Sequence, residues 1–303
     1  MFDIVKNRKI FYIVSLIVIL AGVVALFVRG GFTSSIDFAG GVECTVETGK
    51  AVDQTASANI SDIVAESTGI DKKAISVTKI GDAGTQASIK LSATLTSEQI
   101  LALKDALVSE LGVSKEAITD FESVSASVGK ETQSSAILAV VIAVVLMLIY
   151  ITIRFEFLSG CAAVCALVHD VLVMLSAYAI LGLPINTSFI AAMLTIIGYS
   201  INATIVQFDR VRENTKLTRK GNFAAIVNKS VWQTMFRSLN TTFTTLVVIL
   251  VLYIMGVQSI REFALPIMLG LIAGTWSSVF LSGNFWVFFK KLSGAKNVMP
   301  NEQ

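Results

Sequence analysis

From Ile10 to Val28 the chain carries no charged side chain, and nearly every residue is apolar. A run of about twenty such residues, wound as a helix, crosses the ~30 Å hydrocarbon core of a bilayer. Lys6, Arg8 and Lys9 precede it, as they would precede a cleaved export signal. The run is longer than a signal's apolar stretch, and Phe27-Val28-Arg29 offers no small-residue cleavage site, so a retained anchor is expected. Further apolar blocks run over Ala136–Ile153, Cys161–Leu183, Phe189–Phe208, Leu239–Met255 and Ala264–Phe289. The pattern predicts a polytopic α-helical membrane protein with six transmembrane helices.

Composition narrows what such a protein does. Charged residues make up 15% of the chain, against about 25% in an ordinary soluble domain. The formal net charge of +2 is too small for a nucleic-acid binder, so no nucleic-acid partner is expected. One His and three Cys exclude a His/Cys metal cluster and a disulfide framework. No phosphate-binding loop, metal motif or nucleophile–base pair occurs, so no cofactor and no enzymatic activity are expected. Whatever work the chain does is not driven by its own ATP hydrolysis.

Residues 30–135 differ from the rest. They hold fifteen acidic residues against eight lysines, so this segment is net negative while the remainder is positive. Val42–Val46 reads as a strand and Asp53–Ser67 as a helix with Ile60, Ile63 and Val64 on one face. Ala74–Ile80 and Gln86–Leu91 read as strands flanking a Gly81-Asp82-Ala83-Gly84 turn. A second helix begins at Ser97, and Ile118–Val128 is the last strand. The order strand-helix-strand-strand-helix-strand predicts an inserted α+β domain of ferredoxin-like arrangement. Asp37, Gly40 and Gly41 read as a tight turn joining the first span to the first strand.

Basic residues set the orientation. They gather before the first span, between the fourth and fifth (Arg210, Arg212, Lys216, Arg219, Lys220, Lys229), and in the tail (Lys290, Lys291, Lys296). The opposite connections carry only Arg261. The expected layout is residues 1–29 as cytoplasmic N-terminus and first span, and 30–135 as extracytoplasmic domain. Residues 136–289 then form a five-helix membrane domain with a cytoplasmic loop at 209–237, and 290–303 a cytoplasmic tail.

Ionisable and polar residues inside spans are costly, so each is a functional candidate. His169 and Asp170 stand mid-block in the third span, either as a buried pair bonding helix to helix or as a route for an ion. In the fourth span Gly198 and Ser200 read as packing residues, and Asn202 can bond across a helix interface. Asp209, Arg210 and Arg212 mix signs where the fourth span ends. Arg237 precedes a hydroxyl-rich stretch containing Asn240, Thr241, Thr242, Thr244 and Thr245. It either extends to the interface or faces a wet interior. Cys161 and Cys165 share one helical face as small packing residues, and Cys44 lies in the inserted domain.

Several of these segments together resemble the SecF family, the smaller partners of the SecD–SecF export auxiliaries within the resistance–nodulation–division type superfamily. The carriers are Ser35-Ile36-Asp37-Phe38-Ala39-Gly40-Gly41, Ser127-Val128-Gly129-Lys130-Glu131, Arg154-Phe155-Glu156 and His169-Asp170. The most specific are Ile197-Gly198-Tyr199-Ser200-Ile201-Asn202 and Phe208-Asp209-Arg210-Val211-Arg212-Glu213-Asn214. The resemblance implies a protein of the bacterial cytoplasmic membrane, paired with SecD, that uses the proton or sodium gradient to promote export through the SecYEG translocon. Implied partners also include YajC, YidC, exported preproteins and membrane lipids. Similar proteins place an Asp after the Asn of the fourth-span motif, where this chain has Ala203, and that carboxylate is thought to work with the Arg matching Arg237. Asp170 or the SecD partner then takes over, coupling is lost, or Ala203 is an introduced substitution. Two other readings follow: a scaffold that holds SecD without ion traffic of its own, and a small-molecule or lipid exporter of the same superfamily. A single compact external domain counts against the exporter.

Overall fold

The computed structural model of the chain describes residues 2–33, 35–80, 84–218 and 222–294. It divides into two compact units, one of Met1–Thr33 with Leu138–Gln303 and one of Ser34–Ile137. The expected turn at Gly81-Asp82-Ala83 lies outside the described residues.

The first unit is helical. Its elements are α1 (Arg8–Arg29), the greater part of α5 (Ala126–Arg154), α6 (Phe157–Leu181), α7 (Thr187–Leu217), α8 (Phe223–Met255) and α9 (Gln258–Trp276). A widened π turn over Ser277–Ser282 then leads into α10 (Gly283–Leu292). Among the described residues six spans are long and apolar enough to cross a membrane, the last comprising α9, the π turn and α10. Side-chain caps start several of them. Asn186 Oδ1 accepts from the Phe189 amide at 2.8 Å to open α7, and Asn222 Oδ1 accepts from Ala224 at 2.9 Å to open α8.

The spans are unequally buried. The most apolar stretch of the last span is 61% buried and those of α6 and α7 are 44% buried, but those of α5 and α8 only 6%. The core is therefore α6, α7 and α9–α10, with α5 and α8 outermost. Lipid is as apolar as leucine, so close helix contact depends on small residues. Gly22 of α1 faces Ser176 of α6 with no room for a Cβ, and Gly274 of α9 would place one 3.0 Å from Ser200 Cβ of α7.

Segment 209–237, expected as a cytoplasmic loop, includes the end of α7 and the start of α8. α7 continues to Leu217 and α8 begins at Phe223. The extensions hold because they keep an apolar stripe: Phe208, Val211, Val227 and Val231 are all buried.

The second unit holds α2 (Ile36–Ala39), β1 (Gly41–Glu47), α3 (Gln54–Thr68), β2 (Ile75–Ile80), β3 (Gln86–Leu91), α4 (Ser97–Leu111) and β4 (Ile118–Val124). The four strands form one antiparallel sheet in the order β2-β3-β1-β4. Val42, Cys44 and Val46 alternate inward on β1, and with Ile89, Leu91, Ile60, Val64, Leu103 and Leu107 they make the core between sheet and helices. Asp53 caps α3 and Thr96 with Gln99 forms a capping box on α4. β4 ends at Val124 rather than Val128, because Ala126 already begins α5.

The turn before β1 is tighter than a plain loop. Ser35 Oγ caps the single turn of α2 through the Asp37 amide at 3.2 Å, and Gly40 follows at φ +76°. A side chain on Gly40 would lie 2.7 Å from Ala126 Cα, and Gly41, at φ +143°, would drive one into the Leu91 carbonyl.

Burial, helped by Glu43 and opposed by Lys104, pushes the Cys44 thiol up to about 12. Only the thiolate reacts with a maleimide. In a Cys161→Ser/Cys165→Ser background, a water-soluble maleimide at neutral pH is expected to leave Cys44 unlabelled until denaturant is added, read by mass shift.

Candidate functional site

Asp170 is 2% exposed on α6, yet its carboxylate has a full set of partners. Ser200 of α7 donates to Oδ2 at 2.6 Å and Ser277, the first residue of the π turn, donates at 2.9 Å. His169 Nδ1 lies 3.0 Å from Oδ1. On the far side of the ring, Nε2 is 2.9 Å from Ser15 Oγ of α1, which also accepts the Trp276 indole N–H at 3.1 Å. Six side chains from α1, α6, α7 and the α9–π junction thus form one chain, with Asp170 and the lone His at its centre.

A second polar region opens on the neighbouring face of α7. Tyr199, Asn202, Ala203 and Val206 line a cleft of about 110 Å³ together with Arg237, Ser238, Thr241 and Thr242 of α8. Arg237 also borders an adjoining cleft of about 300 Å³ with Asp209, Arg210, Glu213 and Gln233. Arg237 is exposed, and among the described residues no ion pair joins it to a carboxylate. The threonines of α8 are mostly satisfied locally. Thr241, Thr244 and Thr245 donate to carbonyls of their own helix, while Thr242 meets Thr275 of α9 at 2.6 Å.

The motif beyond residue 208 ties α7 to α8. Arg210 donates to Gln233 Oε1 at 2.7 Å and to Glu213 at 2.6 Å. Asn214 donates to Ser230 at 2.8 Å and to Gln233 at 2.7 Å. Arg212 reaches the Arg154 carbonyl at 3.3 Å, and Asp209 stays exposed at the mouth of the wider cleft. Nearby, Glu156 accepts from the Trp286 indole at 2.6 Å and pairs with Lys290 at 3.3 Å.

The structure therefore brings His169 and Asp170 together in one cluster, and Asn202, Ala203 and Arg237 together in another. Asp37, Gly40 and Gly41 belong to neither, lying in the second unit. Sequence reasoning missed Ser15, Trp276 and Ser277, and gave Ser200 only a packing role. The one available signal was Ser15, a hydroxyl standing in the otherwise apolar run from Ile13 to Val28.

Six spans, an α+β unit between the first and second of them, and buried polar side chains gathered from several helices define a multi-pass membrane protein. The family described as "Protein export membrane protein SecD/SecF, C-terminal" matches residues 90–292. The chain is 36% identical to the protein translocase subunit SecF of Alicyclobacillus acidocaldarius, with 97% of this chain and 95% of that protein aligned. It is 37% identical to SecF of Acidaminococcus fermentans, over 96% and 98%. The crystal structure of SecDF from Thermus thermophilus, described as translocon-associated, superposes with a TM-score of 0.85 at 33% identity, over 96% of this chain and 39% of that one. The chain belongs to the SecD/SecF family of protein-export membrane proteins, and its full-length relatives are SecF subunits.

Replacing Asp170 by Asn puts an amide N–H₂ against either the imidazole N–H or two serine hydroxyls. Leaving a buried donor unmatched costs about 1–3 kcal/mol. Asp170→Asn is expected to lower thermal stability of the purified protein in detergent, whereas Asp209→Asn, at an exposed carboxylate, is expected to leave it unchanged.

Proposed function

We propose that the chain is an auxiliary of Sec-dependent protein export that acts paired with SecD and draws on the transmembrane proton or sodium gradient. The observation that carries the reading is the near full-length similarity to SecF subunits on both sides of the alignment. The Thermus SecDF chain, of which this one spans 39%, supports SecD as the complement. In this reading the chain sits in the bacterial cytoplasmic membrane with both termini inside. The four-stranded unit is a ferredoxin-like domain outside, where emerging preproteins leave the SecYEG translocon, with YajC and YidC as further neighbours. The strand order β2-β3-β1-β4, with α3 and α4 as the two crossover helices, supports that description.

Energy for such work must come from the gradient, since ATP is not available outside. Each charge crossing 100 mV supplies about 2.3 kcal/mol. The groups on which ion coupling would rest are Asp170, His169, Asn202 and Arg237. Depleting the chain is expected to slow release of exported proteins from membrane vesicles; unchanged kinetics with SecD also absent would refute the role.

Ala203 favours a second reading, a scaffold that stabilises SecD without ion traffic of its own. Alanine holds no proton, and it faces the cleft that also contains Arg237. Ala203→Asp is expected to add or strengthen dependence of export on the proton gradient, measured with and without an uncoupler. Export that ignores the gradient in both forms would favour the scaffold.

A further inference from the structure

We propose that a cleft at the basic end of the helical unit binds the phosphate of an anionic phospholipid headgroup, with Arg212 and Lys216 as its principal ligands. The inference goes beyond the export reading and borrows from it only the cytoplasmic placement of this end. Lipid binding is measured without any export assay, so either reading can fail while the other stands.

The cleft encloses about 220 Å³ where the α5–α6 junction, the last turns of α7, the start of α8 and the end of α10 meet. Phe155, Phe223 and Trp286 supply an aromatic lining, with Phe223 and Trp286 buried and packed edge to face at 5.3 Å. α7 contributes Arg212 and Lys216. Four residues apart, these two lie on one face of the helix.

The partners of each charge single out these two cations. Glu156, the carboxylate lining the cleft, accepts from the Trp286 indole at 2.6 Å and pairs with Lys290 at 3.3 Å. Lys290 also stands 4.2 Å from the centre of the Phe223 ring. Glu213 of α7 is held by Arg210 at 2.6 Å, and Asp209 borders the other cleft with Arg237. Of its five N–H groups, Arg212 directs one to the Arg154 carbonyl at 3.3 Å. Lys216 has no hydrogen bond or ion pair among the described residues. Like charges one turn apart repel, and an anion between them removes that repulsion. A phosphate suits the pair, because the planar guanidinium can meet two of its oxygens at once while the ammonium adds a point charge.

The surroundings favour a lipid over a soluble anion. Ile153, Phe157, Leu217 and Leu292 each stand within two residues of a lining side chain, and all four are exposed. Acyl chains would cover them, whereas a free phosphate would leave them in water. Headgroups lie at the level of the span ends, where Trp, Lys and Arg gather. Basic pockets between spans on the cytoplasmic side take anionic headgroups, and that leaflet is the negatively charged one. With Glu156 engaged by Trp286 and Lys290, the cleft offers no free carboxylate to the ammonium of a zwitterionic lipid.

The test uses the full-length protein in a neutral detergent, stripped of native lipid, with phosphatidylglycerol as the probe and native mass spectrometry as the readout. Saturable binding is expected, with phosphatidylcholine of the same acyl chains bound more weakly and millimolar inorganic phosphate failing to compete. Arg212→Gln/Lys216→Gln is expected to weaken phosphatidylglycerol binding about thirtyfold. Lys9 and Lys291 are exposed and do not line the cleft. Lys9 opens α1 at the same end, where the Ile4 amide bonds Asn228 of α8. Lys9→Gln/Lys291→Gln removes as much charge and is expected to leave the affinity largely unchanged. Equal affinity for the two lipids, no loss in Arg212→Gln/Lys216→Gln, or equal loss in both double variants would overturn the proposal. Displacement by inorganic phosphate would overturn it too, marking a site for a free anion. The lipid preference and the phosphate competition are read on the wild-type protein, so they decide the matter even should the cleft variant not fold.

Discussion

A backbone amide inside hydrocarbon finds no water to bond, so each segment that crosses must satisfy itself as a helix. The same lack of water governs side chains, and it acts most strongly on Asp170. Its carboxylate is nearly sealed from solvent, and its partners come from α7, from the π turn and from the adjacent imidazole. Three elements are located relative to one another by two oxygen atoms. Small residues permit this: Gly274 has no side chain to hold α9 away from Ser200 and Asp170. Polar chemistry and close backbone approach are two halves of one arrangement here.

α7 separates two environments within a few residues. Ser200 points into the sealed cluster, while Tyr199, Asn202 and Ala203 border an open cleft against α8. Arg237 stands on that cleft without a carboxylate partner among the described residues. The two regions are suited to different tasks. The sealed one holds its members rigidly through matched hydrogen bonds, whereas the cleft has space and an exposed cation. With alanine at position 203, the cleft holds the cation and the space but presents no carboxylate from that position.

Much of this was legible in the sequence. The six apolar runs gave the spans because length and lack of charge are direct physical requirements. The inserted domain was legible because period-two and period-3.6 patterns alternate within it, and its caps at Asp53 and Thr96 stand where the helices begin. The helical ends within segment 209–237 were not legible, because its charges mask the buried stripe of Phe208, Val211, Val227 and Val231. His169 and Asp170 were visible as ionisable residues in a span, but their partners were not. Ser15, Ser200, Trp276 and Ser277 are far apart in sequence, and nothing in spacing says which serine a carboxylate will meet. The π turn left no mark either, since its residues would serve equally in an ordinary helix.

That turn has an effect on the whole last span. A stretch with i→i+5 bonding is out of phase with the α-helix on both sides. The face that α9 turns to α7 is therefore offset from the one α10 presents, although α10 still meets α7 through Trp286, whose ring lies 4.7 Å from that of Phe208. One continuous rod would present a single face to a single neighbour. By changing phase midway, the sixth span meets the same helices with differently oriented faces at its two ends, and the slip between them begins at Ser277, whose hydroxyl fastens it to Asp170.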